Sequence, residues 1–243
     1  MMAYLKKNSI PEQILTLIAE DIQAGRIKPG DRLSPEREWA EELGVSRHSL
    51  RQTIKILEAL GVVESRPKSG TVVRHFNLTD LFDMAGLLLR LSNPPLPKVL
   101  EARRHLEGIT VYLASLNRTD QDLGEIRRHL TTLQSSTNLD ELINADASFH
   151  LAISHATHNE ILDALVRIVS GYLRDSVRTI RVVLYSKPHV YAKFTEQHTK
   201  IYEAVAAGNG QLASHWVYEH LLYAEMETMQ QLGVTEDHPN DAP

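Results

Sequence analysis

GRIKPGDRLSPEREWAEELGVSRHSLR, residues 25–51, decides the fold. Gly25 closes an apolar-periodic run, and Lys28-Pro29-Gly30-Asp31 reads as a turn, because proline presets one turn torsion and glycine tolerates the next. Ser34 and Pro35 stand where a helix cap and a first helical position belong. Trp39, Ala40 and Leu43 give the helix that follows an apolar face, and Gly44 tolerates the positive φ needed between two helices. Ser46 caps a further helix whose inward face is Leu50, Ile54, Leu57 and Leu60. Arg47, His48, Ser49 and Arg51 fall at the start of that helix. This order predicts a helix-turn-helix, whose second helix enters the DNA major groove with its N-terminal residues leading.

Working outward, Ile14, Leu15, Leu17, Ile18 and Ile22 recur at helical spacing between Pro11 and Ala24, giving a first helix. On the other side, Gly61 ends the third helix. Val62-Val63, a turn at Pro67-Lys68-Ser69-Gly70 and Thr71-Val72-Val73 predict a short β-hairpin. Three helices and a hairpin make a winged helix-turn-helix over residues 1–76. Arginine suits base reading, since its planar fork can donate two hydrogen bonds to guanine O6 and N7, while a helix N-terminus favours a phosphate. Arg37 on the preceding helix could anchor the DNA backbone, and Lys68, Ser69 and Gly70 at the wing could approach the minor groove. The overall charge is −5, but residues 1–77 carry 12 Lys and Arg against 10 Asp and Glu, about +2, leaving about −7 for the remainder. That asymmetry permits a polyanion partner at the N-terminal end without diagnosing one.

Past Phe76 the pattern is helical throughout, with helices expected near 79–91, 98–116, 120–136, 139–156, 160–184, 189–207 and 210–231. Asn93-Pro94-Pro95-Leu96-Pro97 is a stiff break, because proline cannot continue a helix. The expected architecture is mostly α: the winged unit, an all-helical bundle over 77–235, and a disordered tail at 236–243. Zero cysteines exclude disulfides, thiolate metal sites and cysteine nucleophiles, and suit a reducing cytoplasm. No stretch has the apolar length of a signal peptide or a membrane span. A soluble cytoplasmic protein is expected.

Within the bundle, Asp146 and His150 are spaced i, i+4, so both reach from one helix face toward a common point. His198 and His220 lie in two later helices beside apolar stripes, and are expected to point inward. One carboxylate with three imidazoles forms a borderline-soft set suited to Zn²⁺ or Ni²⁺, with Mn²⁺ third. His105, His129, His155, His158, His189 and His215 read as surface or helix-end residues. Arg174 and Arg178 could line a cavity, though salt-bridged helix faces explain them as well.

The string from Gly25 to Arg51, continuing to the Gly61 turn and the Ser69-Gly70-Thr71 wing, closely resembles the GntR family of bacterial regulators over residues 10–74. The resemblance implies that Arg37, Arg47 and Arg51 contact operator DNA, with the wing residue before Gly70 adding a groove contact and His48 and Ser49 at variable reading positions. Glu101 to Glu107, Asp146 to His150, His158-Asn159, and His198 through Gly208 to His220-Leu221 resemble the FCD ligand-binding domain of the FadR subfamily. That implies Asp146, His150, His198 and His220 as ligands of a divalent metal, a small carboxylic acid as effector, and Arg103 as its carboxylate contact. The full metal set disfavours a fatty acyl thioester. Where this family commonly has Gly-Asp, the chain has Gly208-Asn209-Gly210, a departure expected to affect a turn. The expectation is a homodimeric regulator on palindromic DNA, a repressor and not an enzyme. Two alternatives stand beside it: a metal-dependent enzyme fused to a DNA-binding domain, and a regulator whose pocket has no metal. No extra carboxylate is visible at a telling spacing to serve such an enzyme as general base.

Overall fold

The computed structural model describes residues 10–66, 70–74 and 78–233, so Lys68, Ser69 and the expected tail at 236–243 lie outside the described residues. The chain divides into two compact units, Met1–Met84 and Ala85–Pro243.

The first unit contains α1 (Ile10–Gln23), α2 (Glu36–Glu42), α3 (Arg47–Ala59), β1 (Val63–Arg66) and β2 (Gly70–Val73). Ile14 and Ile18 of α1, Ala40 of α2, Leu50, Ile54 and Leu57 of α3, and Val63 and Val73 of the hairpin form its buried core together with Leu33. The hairpin is antiparallel, with Val63 opposite Val73 and Arg66 opposite Gly70. Ser46 caps α3 as its position in the sequence predicts, its side chain accepting from Ser49 N at 3.0 Å. Ser34 does not cap α2. Pro35 is the N-cap and supplies no side-chain hydrogen bond, so Glu36 and Glu38 complement the positive end of the helix in its place. The loop before α2 also does more than turn. Gly30 N donates to Val73 O, Val73 N to Asp31 O and Leu33 N to Thr71 O, all at 2.8–2.9 Å, which lace the loop onto β2. Gly70 has φ +76, and a Cβ there would stand 3.1 Å from Arg32 Nε. Glycine is therefore required both for the turn and for the seat of Arg32.

The second unit is helical: α4 (Leu78–Ser92), in which the boundary between the units falls, then α5 (Leu96–Asn117), α6 (Asp120–Ser135), α7 (Leu139–His155), α8 (Glu160–Ser176), α9 (Arg178–Ser186), α10 (Pro188–Ala206) and α11 (Gly210–Gln231). Side-chain caps fix several starts: Thr119 in a reciprocal capping box with Asp122, then Asn138, Asn159 and Asn209. Asn209 explains the Gly-Asn-Gly departure. Gly208 takes φ +72 to leave α10, and Asn209 then caps α11 through Leu212 N. Val111, Phe149, Leu133, Ile201, Val205 and Val217 lie in one buried cluster shared by α5, α6, α7, α10 and α11.

One expected helix is two. The run expected at 160–184 breaks at Val177 (φ −120, ψ 15) into α8 and α9. Asp175, Ser176 and the β-branched Val177 are poor helix formers that do not hold α geometry against a tertiary demand. That demand is visible in the packing: Val177 is buried beside Leu173, while Leu184 and Tyr185 of α9 enter the main core. Among the described residues no helix is long and apolar enough to cross a membrane.

Leu50, fully buried at the centre of the first unit, anchors it. Leu50→Ala is expected to destabilise that unit by about 3 kcal/mol. Urea denaturation of the full chain in a Trp216→Phe background, leaving Trp39 as the fluorophore, measures this; a loss below about 1 kcal/mol would mean that the site collapses around the cavity.

Candidate metal centre and nucleic-acid interface

Asp146 and His150 lie one turn apart on α7, His198 on α10 and His220 on α11, and all four are buried. One ligand-capable atom of each lies within 4.8 Å of the others, so the four side chains could hold a metal ion. Helical spacing alone pairs only the first two. The packing of α10 against α11, and of both against α5, brings in the others.

Each imidazole is held from its outer side. His198 Nδ1 donates to Phe194 O at 2.8 Å, and His220 Nδ1 to Gln197 Oε1 at 3.2 Å. Those oxygens only accept, so Nδ1 carries the hydrogen and Nε2 keeps its lone pair. His150 Nδ1 lies 2.6 Å from Glu107 Oε2, approached off the N–H axis, which makes it a charge contact more than an aligned hydrogen bond. It polarises the ring in the same sense. Inside, His150 Nε2 and His198 Nε2 face each other at 3.4 Å, while Asp146 Oδ1 lies 3.2 Å from His198 Nε2 and 3.9 Å from His150 Nε2. Lone pairs aimed at one spot repel unless something positive lies between them.

Protonation favours a metal over added protons. Burial pushes His220 well below the ordinary histidine range, helped by the other two imidazoles, and lowers His198 against the pull of Asp146. Neutral rings are the ligating form. Burial alone would raise the Asp146 carboxyl, but His198 and the charge of Arg181 hold it well below the usual carboxylate range. The donor set is three imidazole nitrogens and one ionised oxygen, buried and oriented from behind. It fits a divalent ion of borderline softness.

Two further residues complete the surroundings. Glu107 is a buried carboxylate beside the site that no telling spacing in the sequence had singled out. Burial pushes its carboxyl up, yet Arg103 and His150 outweigh this and hold it at about 2. So ionised, and bonded to Arg103 Nε through Oε1 at 2.5 Å, it is a poor general base for water. Arg103 and Glu107 are spaced i, i+4 on α5; the resemblance turned Arg103 toward the site, and periodicity alone did not show that Glu107 shares that inward face. Tyr185 donates to Asp146 Oδ1 at 2.9 Å, and burial with the Asp146 charge drives its hydroxyl well above the usual phenol range. A cavity of about 30 Å³ is walled by two of the four, Asp146 and His220, together with Arg103, Arg181, Tyr185 and Phe194. Of the arginines considered from sequence, Arg174 is exposed and Arg178 pairs on the surface with Asp140 at 2.7 Å. On α9 it is Arg181 that joins Arg103 in the cavity wall.

On the first unit, Arg47 and His48 are exposed at the start of α3, and Ser49 Oγ lies 2.8 Å from Ser46 Oγ inside the cap. Arg51 donates through Nε and Nη2 to one oxygen of Glu36, at 3.0 and 2.7 Å, and Arg37 reaches Glu41 at 3.3 Å. Exposed pairs of this kind are weak, being screened by solvent, so a stronger anion can displace them. Gly70 begins β2 at the wing.

Comparison with known proteins gives two family matches: "Bacterial regulatory proteins, gntR family" over residues 11–73, and "FCD domain" over residues 98–223. The HTH-type transcriptional regulator LutR of Bacillus subtilis is 34% identical over 84% of this chain and 94% of its own. An Escherichia coli protein named for regulation of the L-lactate dehydrogenase operon is 31% identical over 88% of this chain and 86% of its own. The Glc operon transcriptional activator of Escherichia coli is 30% identical over 86% of each chain. Among solved structures, a Streptococcus agalactiae GntR protein superposes with a TM-score of 0.56 at 20% identity, covering 89% of this chain and 97% of its own, a likeness of fold.

After reconstitution with Zn²⁺ and desalting, elemental mass spectrometry should find close to one equivalent in the wild type and little in a His198→Ala, His220→Ala variant. Glu107→Gln should lower zinc affinity by about 10–100-fold, the usual effect of losing a group that orients a ligand. Unchanged affinity would mean that Glu107 does not orient His150.

Proposed function

Because the chain belongs to the GntR family of bacterial regulatory proteins and carries an FCD domain, we propose that this transcriptional regulator senses a small carboxylic acid at a divalent metal ion held by Asp146, His150, His198 and His220. The carrying observation is the convergence of Nε2 lone pairs and one carboxylate on a spot walled by guanidinium groups. Burying so many polar groups costs several kcal/mol per ion, which a core built for stability alone would avoid. Zn²⁺ or Ni²⁺ suits three nitrogens and one oxygen best, with Mn²⁺ third. The ion would supply a coordination point for the acid's oxygen, and the arginines a counter-charge for its carboxylate. L-lactate is the first acid to try, given the operon for which one relative is named.

In this reading residues 1–76 bind DNA and residues 77–235 bind the effector. Arg47, His48, Ser49 and Arg51 meet the major groove, Arg37 the phosphate backbone, and Lys68 with Gly70 the minor groove at the wing. Arg51 would exchange Glu36 for DNA, at little cost for an exposed pair. Two copies are needed to match a palindromic site. Ile109, Tyr112 and Leu116 form an exposed apolar stripe on α5, and Ile161 and Leu165 another on α8, which packs against α5. Such faces suit a homodimer contact. The protein would act in the cytoplasm as a repressor that the acid releases. One relative carries the name of an activator, so the direction is measured below.

The test uses a duplex selected from random sequence by the full-length protein. Arg47→Ala should weaken binding and reduce the salt slope by about one. Zinc with L-lactate, or another small acid from a panel, should shift the operator affinity of the wild type, and prior chelation should abolish that shift. Release by the acid supports repression and tightening supports activation. An acid response that survives chelation would remove the metal from the mechanism.

A further inference from the structure

The cavity walled by Asp146 and His220 of the metal-binding candidates also has two arginines in its wall, and they differ in how well they are answered. Arg103 is paired within its own helix, its Nε donating at 2.5 Å to Glu107 Oε1, and that carboxylate is buried and ionised. Glu107 in turn meets His150 through its other oxygen. Arg103, Glu107 and His150 therefore form a chain in which each charge has its partner. Arg181, on α9, has a side chain only 12% exposed and, among the described residues, a single carboxylate within ion-pair distance, Asp146 Oδ2 at 3.4 Å.

That carboxylate is already shared. Tyr185 donates to its Oδ1 at 2.9 Å, His198 lies 3.2 Å from the same oxygen, and Asp146 is the one anionic member of the metal-binding set. Around the four ligands the two arginines are matched one for one by two carboxylates, Arg103 by Glu107 and Arg181 by Asp146. A divalent ion would add two positive charges and draw Asp146 toward itself, leaving Arg181 as a buried cation with a weakened counter-charge. Such a group is costly unless an anion joins it. A carboxylate is the matching shape, since the guanidinium fork can donate two parallel hydrogen bonds to it.

Resting on the acid-sensing reading above, we propose that Arg181, and not Arg103, receives the effector's carboxylate, while Arg103 serves to hold Glu107 and, through it, His150. The cavity wall supports this division, because Arg181 and Tyr185 reach it from a nine-residue helix bounded by breaks at Val177 and Lys187. The cavity's 30 Å³ admits a water or two. An acid must displace part of this wall, and a short helix with non-helical residues at both ends yields more readily than α5, which is 22 residues long.

The test compares full-length wild type with Arg181→Gln, Arg181→Lys and Arg103→Gln. Zinc affinity is measured by chelator competition, and calorimetry of the zinc-loaded proteins then follows L-lactate and a panel of small hydroxy and dicarboxylic acids. Arg181→Gln should keep or improve zinc affinity, having lost a positive charge next to a ligand, yet bind the acid at least about tenfold more weakly, with lysine restoring only part because it lacks the fork. Arg103→Gln should instead weaken zinc binding, because Glu107 and His150 lose their anchor. The assignment is overturned if Arg181→Gln binds acid like the wild type, or if Arg103→Gln keeps its zinc affinity and loses the acid. If the zinc-loaded wild type binds none of the acids, the acid-sensing reading falls and this assignment falls with it.

Discussion

Three imidazoles and a carboxylate can be kept dry inside a helical bundle only if their polar atoms are answered from several directions at once. In this protein the outer nitrogens are answered by Phe194 O, Gln197 and Glu107, and the carboxylate by Tyr185 and Arg181. These partners come from α5, α9 and α10, so the site constrains the relative placement of helices far apart in sequence. The break at Val177 follows from the same constraint. A straight helix through residue 184 would satisfy local pattern, but Leu184 and Tyr185 are buried in the core and Tyr185 bonds Asp146, which the separate helix α9 provides.

The DNA-binding unit was largely legible because its information is local. Turn glycines, a capping serine and apolar spacing act over a few residues, and Ser46, Gly44 and Leu50 hold the positions that their chemistry predicts. Ser34 failed as a cap because Pro35 already occupies the N-cap position, and propensity ranks residue types without choosing among neighbours. The lacing of residues 30–33 onto β2 was invisible, since it is a backbone pairing between segments with no shared pattern.

The candidate metal-binding set was partly legible. Asp146 and His150 share a helix face, which sequence spacing states outright; His198 and His220 were turned inward by their apolar neighbours and tied to that pair by resemblance to a family, and the geometry brings all four together. Glu107 and Arg181 were missed for one physical reason. On a helix, a charged residue that faces solvent and one that faces a polar site inside the core show the same periodicity, and only the neighbouring helices distinguish them. The same ambiguity made Arg174 and Arg178 look as eligible as Arg181, three residues beyond Arg178.

Helix α5 gives the site a route outward. Its inner face carries Arg103 and Glu107, and its outer face carries Ile109, Tyr112 and Leu116. A helix with its side chains is about 10 Å across, so the face proposed for pairing two copies lies one helix thickness from the face that steadies His150. An acid changes DNA binding only if it binds two arrangements of the protein with different affinity. On the dimer reading, a small shift of α5 upon occupation of the site would alter the contact between copies, and with it the separation of two recognition helices that must meet half-sites about 34 Å apart. Packed cores rearrange between discrete states more readily than they deform continuously, which makes a helix shared by site and contact surface a more economical element for the switch than a flexible loop.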